Sequence, residues 1–328
     1  ARKNLTVDVK THVTRVLFEG RRAVGVELLK DGMTSQVRAA REVILSAGAF
    51  NSPQILMLSG VGPADELKKH GIACVSDLPE VGKNLQDHFG VWITWKRKEP
   101  GRFHREMRLD RMTVSMLRAY FFGSGPGTVV PGGLHAFVKV DRSVAVPDIE
   151  FMFHTVPPQT KLWFPVISPP YQDAYGIRPT LLHPSSRGAV TLRSADPRDA
   201  PRIFYNFFSA DDDMPRLLAG FKRAREVGEQ KAMEQYRAGE VSPGPACKTD
   251  AEIEAYIKRT GLTAHHPAST CRMGTDASAP LDPKCRVRGV ERLRVVDASA
   301  MPDLVSAHIN ACVLMMGEKA ADYIKEGV

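Results

Sequence analysis

Residues 42–63, EVILSAGAFNSPQILMLSGVGP, constrain the chain more than any other stretch. The apolar run through Val43, Ile44 and Leu45 reads as a buried strand. It ends in Ala47, Gly48 and Ala49, small residues that permit close backbone approach. Ser52 is a good helix N-cap, Pro53 suits the first helical position, and Gly60 can end that helix. A strand, a small-residue turn and a helix N-terminus form the local geometry that receives diphosphates and other anions.

Upstream, residues 4–18 and 23–29 alternate apolar and polar with β-branched enrichment, which predicts strands joined by a turn at Glu19-Gly20. The length of 328 residues suggests two domains. Hydrophobic residues at 43% and charged residues at 25% exclude a disordered chain, a collagen and a coiled coil. No apolar run is long enough for a membrane-spanning helix. With 45 basic and 37 acidic residues the net charge is +8, and without a motif this gives no case for nucleic acid. Five scattered cysteines, none in C-x-x-C spacing, read as reduced thiols and argue against structural zinc.

Residues 96–111 are rich in Lys and Arg, and we read them as a solvated helix face in preference to an anion or membrane-surface patch. Residues 112–122, MTVSMLRAYFF, are apolar enough to pack on a core or line a substrate entrance. GSGPGTVVPGG at 123–133 is a loop, because its glycines lack G-x-G-x-x-G spacing between a strand and a helix. Strand-like runs within 134–208 predict an antiparallel sheet in a second domain. Two helices follow. One starts near Pro215 and runs to about Ala238; the other has a Thr249–Glu252 capping box and stops at Gly261.

Two stretches carry the chemistry. The first, LTAHHPASTCRMG at 262–274, holds adjacent His265 and His266 among small residues, and His suits acid–base work near neutral pH. His265, His266 and Cys271 alone make a poor metal set, so no metal is expected. The second, at 289–324, is a buried strand ending at Asp297 and Ala298. An apolar helix with His308 and Asn310 at its start follows. A helix N-terminus stabilises an electron-rich ring lying on it. A base and a donor converging on one ligand suit alcohol oxidation, in which the hydroxyl proton goes to the base. No side chain accepts hydride, so a redox cofactor is required.

These residues resemble the glucose–methanol–choline (GMC) oxidoreductases. GAFNSPQILMLSGVGP resembles the family's second signature, and VGKNLQDH at 81–88 the segment after it. The strands of 180–208 resemble its substrate domain. HHPASTCRMG and the stretch from Arg294 to Asp322 resemble its C-terminal catalytic region. The resemblance implies FAD as cofactor. It implies that His266 takes the hydroxyl proton, that His308 is the second active-site group and that His265 touches the flavin. Asp297 and Ala298 would lie beside the ribityl and diphosphate, Ile309 and Asn310 near the pyrimidine end, and Val13 and Ala47 on the adenosine side.

The implied fold is α+β/α/β. A partial FAD-binding doubly wound domain (1–90 and 275–328) accompanies a substrate-binding domain at 91–274, an antiparallel sheet backed by helices. The G-x-G-x-x-G unit of the family is not found, so the chain is expected to be the C-terminal part of an enzyme lacking the N-terminal dinucleotide-binding βαβ unit. Its partners would then be the N-terminal portion of the same enzyme, a small-molecule alcohol, and an electron acceptor such as oxygen or a quinone. The expected activity is that of an FAD-dependent alcohol dehydrogenase or oxidase. A non-catalytic fragment or half of a split enzyme, and a lyase on the same fold, are the alternatives. The expected location is the cytoplasm, with attachment at a membrane surface as the alternative.

Overall fold

The computed structural model describes residues 2–129, 133–157 and 159–327, which form two compact units. The first comprises residues 1–87, 184–209 and 265–328; the second comprises 88–183 and 210–264. The expected class, mixed α/β with an antiparallel sheet and helices, is the one observed.

In the first unit, strands His12–Glu19, Arg22–Lys30 and Met33–Arg38 form an antiparallel sheet in sequential order. Residues 4–10, expected to join the first strand, stay outside it. Val43–Leu45 is a strand as expected, and it pairs in parallel with Leu293–Val295. Val43 and Leu45 are buried in a core shared with Leu56, Met57, Val81, Leu281, Val295 and Met316.

The following helix starts earlier than its sequence signals suggest. It spans Gly48–Leu58, so Ser52 does not cap it and Pro53 lies inside it. An interior proline removes one i→i−4 hydrogen bond. The carbonyl deprived by Pro53 is that of Ala49, and Thr270 Oγ1 donates to it at 2.6 Å. A side chain distant in sequence therefore makes good the local loss. Gly60 ends the helix as expected, with φ of 82° and the carbonyl of Ala73 so close that a Cβ would lie 2.3 Å from it.

The second unit is built on an antiparallel sheet. Its main order is Arg237–Ser242, Ile93–Arg97, Ala174–Leu181, Ile149–His154 and His135–Val138, with Phe89–Gly90 and Leu262–Thr263 paired beside it. Every residue of Ala174–Leu181 is buried, as befits a central strand. The helix Asp213–Glu229 lies on this sheet, and a Cβ at Gly228 would meet the Trp95 ring at 2.3 Å. That helix ends before the expected Ala238, because Arg237–Ser242 is an edge strand hydrogen-bonded to Ile93–Arg97. The helix Asp250–Thr260 has the expected capping box, Glu252 N–H donating to Thr249 Oγ1 and Thr249 N–H to Glu252 Oε2.

The units divide at different points from those read in the sequence. Residues 184–209 were assigned to the substrate-binding domain, yet Gly188 and Leu85 exchange backbone hydrogen bonds and Val190 N–H donates to Gly82. Residues 265–274 join the first unit likewise, because Ser269, Cys271 and Met273 donate in turn to the carbonyls of Ala298, Ser299 and Ala300.

Candidate active site

The loop that carries the histidine pair turns sharply. His265 and Ser269 have φ of 62° and 72°, in the left-handed region that non-glycine residues rarely occupy. Such strain persists only where the surroundings hold it. Here the hold is visible. Gln86 and Ala268 exchange two backbone hydrogen bonds. The buried Asp87 accepts from His266 N–H at 2.9 Å. The Gln86 side chain reaches the other His segment, accepting from Leu304 N–H at 3.4 Å. One dipeptide thus ties both segments together.

The result is a pair of imidazoles. The rings of His266 and His308 have centroids 5.0 Å apart and planes inclined by 49°. His266 is half-buried, while His265 and His308 are exposed. Two rings at this spacing can act on one small polar group, one nitrogen accepting its proton while the other holds its oxygen.

His308 precedes the helix Asn310–Lys325, for which Ile309 is the N-cap. No side chain caps this helix, and no acidic residue stands in its first turn. Its first N–H groups and partial positive charge therefore remain available to an electron-rich group. Met316 and Ala320 are buried, with Cys312 and Val313 partly so, which gives the expected apolar helix its core-facing side.

Asp297 has a more structural position than expected. Its Oδ2 accepts from Gly48 N–H at 3.0 Å and from the Ser52 hydroxyl at 2.6 Å, and its Oδ1 from Ser299 N–H at 2.7 Å. The carboxylate locks the parallel strand pair to the helix N-terminus, and Ala298 begins the short 3-10 turn beyond it. Val13 and Ala47, weak candidates in the sequence, line one cavity of about 440 Å³. Its walls include Val26, Ala39, Val43 and Leu45, an apolar slot at the end of the strand that leads into the Gly48–Leu58 helix.

Cys271, considered beside the histidines as a metal ligand, is fully buried, and burial pushes its thiol well above the ordinary range. It remains a neutral packing group. Sequence reading missed Asp87, Gln86 and Thr270 as positioning residues. The signal was present for the first two: both lie inside VGKNLQDH, and a buried acid–amide pair has to serve backbone donors.

The first unit thus carries an apolar slot, a helix start with no side-chain cap and two imidazoles 5.0 Å apart. Comparison with known proteins makes the class specific. A GMC oxidoreductase N-terminal model matches residues 1–90 and a GMC oxidoreductase C-terminal model matches residues 184–317, together more than half of the chain. The chain belongs to the GMC oxidoreductase family. Mitochondrial choline dehydrogenase of Homo sapiens is 42% identical over 327 residues, covering 99% of this chain and 54% of that protein. A formate oxidase structure from Aspergillus oryzae, concerned with FAD modification, has a TM-score of 0.88 at 29% identity, covering 97% of this chain and 60% of that one. Pyridoxine 4-oxidase from Mesorbium loti has a TM-score of 0.82 at 28% identity, covering 99% of this chain and 59% of that one. The chain spans about half the length of the curated relatives it matches.

The match at residues 1–90 corrects one expectation. The chain was read as a C-terminal part lacking the N-terminal unit, because no G-x-G-x-x-G was found. The absence of one glycine motif does not establish the absence of the N-terminal unit. N-terminal family sequence is present, and it forms the three-stranded sheet, the Val43–Leu45 strand and the Gly48–Leu58 helix.

Proposed function

We propose that this chain acts in the FAD-dependent oxidation of a small alcohol, with His266 as general base and His308 holding the substrate oxygen. The observation that carries the reading is the 5.0 Å His266–His308 pair, with the His266 backbone fixed on buried Asp87. Bound FAD supplies the acceptor for the hydride that leaves the alcohol carbon.

The chain's own residues fit that cofactor. The slot around Val13 and Ala47 suits the adenosine end. Asp297, which holds the Gly48 and Ser299 N–H groups, and Ala298 would lie beside the ribityl and diphosphate in this reading. The helix start at Ile309 and Asn310 offers N–H groups to the pyrimidine end, and exposed His265 offers a ring to the flavin. His266 removes the hydroxyl proton at an imidazole nitrogen, which raises the electron density that expels hydride from carbon. His308 fixes the oxygen so that the carbon–hydrogen bond points in one direction. The relatives named for choline, formate and pyridoxine support a small polar substrate.

The test is anaerobic. The protein is loaded with FAD and mixed with a panel of primary alcohols that includes choline, and loss of the oxidised-flavin absorbance is followed. Replacing His266 with Ala should slow bleaching by at least ~10²-fold while flavin stays bound. Equal rates in the two proteins refute the base assignment. A protein that turns over a cyanohydrin without bleaching flavin is a lyase.

A further inference from the structure

The helix Leu109–Phe122 in the second unit is inverted. The stripe it turns toward the protein is Met112, Ser115 and Ala119, and only Ser115 is buried. Val114, Leu117 and Phe121, at i, i+3 and i+7, point the other way and are exposed. Tyr120, Phe121 and Phe122 retain 84%, 68% and 78% of their full accessibility. The usual surface helix does the reverse, burying its apolar stripe. The loop held at the start of this helix extends the same character. Leu109 N–H donates to Trp163 O at 2.9 Å, and Leu162, Val166 and Ile167 beside it are exposed. Exposed apolar side chains gathered on one helix face mark an interaction site.

The charges around it identify the occupant. Arg102, Arg105, Arg111 and Arg118 are exposed, and none of the four stands in an ion pair among the described residues. Arg108 alone is neutralised, by Asp110 at 2.8 Å. Basic side chains flanking an aromatic-rich apolar face fit a surface that is apolar inside and anionic outside, which describes a phospholipid leaflet. Self-association would crowd arginines of one sign against each other. The helix has 14 residues, about 21 Å of length, and no described helix is long and apolar enough to cross a membrane. It can lie in the interfacial plane but not span it.

We infer that the Leu109–Phe122 helix and the 162–167 loop form a docking surface for an anionic membrane, with Leu117, Tyr120, Phe121 and Phe122 entering the leaflet and the arginines meeting lipid phosphates. This reverses the preference for a plain solvated face at 96–111, because the basic run borders an exposed apolar helix and does not stand alone. The surface is independent of the proposed alcohol oxidation.

The experiment is co-sedimentation of the full chain with extruded vesicles of phosphatidylcholine alone or mixed with roughly one third phosphatidylglycerol. The chain should pellet with the mixed vesicles, and less at high salt. Leu117→Ser/Phe121→Ser/Phe122→Ser should weaken that binding by about tenfold or more. Its thermal midpoint should match the parent, since these side chains lie outside the core. Arg111→Glu/Arg118→Glu should lose the preference for anionic lipid. Failure of the parent to pellet, or equal binding by the triple variant, overturns the proposal. So does a dimer in analytical ultracentrifugation that the triple variant abolishes, because a second copy then covers the face.

Discussion

At the scale of single residues, burial sets the chemistry of the thiols. Burial pushes the Cys285 thiol up to about 11, and the Cys271 thiol is pushed up for the same reason. Cys74 is exposed. In native protein at neutral pH, iodoacetamide should label Cys74 and leave Cys271 and Cys285 unmodified, read by peptide mass spectrometry. The shift also has a sign in stability. A thiol raised on folding favours the folded state fully below its unfolded value, and that contribution is lost as pH climbs through the folded one. The urea midpoint should therefore fall between about pH 9 and pH 11. It should fall less in a Cys285→Ala variant. The histidines were legible in the sequence because adjacent His among small residues is an unusual pattern. Asp87 was marked only by its place in VGKNLQDH, because a buried acceptor for a backbone N–H has no sequence pattern of its own.

At the scale of elements, local signals held where tertiary structure agreed with them. The Thr249 capping box and the Gly60 stop are both present. The Ser52–Pro53 helix start failed because Thr270 serves the carbonyl that Pro53 leaves unbonded, so the helix continues back to Gly48. A double-mutant cycle tests this account. Thr270→Val should cost about 1–2 kcal/mol in urea unfolding. In a Pro53→Ala background the amide of residue 53 can bond the Ala49 carbonyl itself, and the cost of Thr270→Val should shrink. Equal costs in both backgrounds would show that the hydroxyl matters for another reason. Element boundaries suffered most where a strand follows a helix closely. Composition alone could not show that Arg237–Ser242 leaves the helix to pair with Ile93–Arg97.

At the scale of the whole molecule, fold class was readable from the alternation of strand and helix signals, but unit membership was not. Residues 184–209 and 265–274 look like continuations of the second unit in sequence. Only their backbone hydrogen bonds to Leu85, Gly82 and Ala298–Ala300 place them in the first. Those bonds span long separations, and periodicity is a local signal.

The parallel pair of Val43–Leu45 with Leu293–Val295 has a consequence for how the chain is made. During synthesis the first strand must wait for about 250 further residues before its neighbour exists. The second unit closes sooner, and Ala264 N–H donating to His88 O brings its entry and exit within one hydrogen bond. Folding of that unit shortens the remaining loop to about 70 residues and lowers its closure entropy by about 1 kcal/mol. Pulsed hydrogen exchange during refolding should show amides of Ile149–His154 and Ala174–Leu181 protected before those of Val43–Leu45. The intervening unit then works as an assembly jig for two strands that lie far apart in sequence.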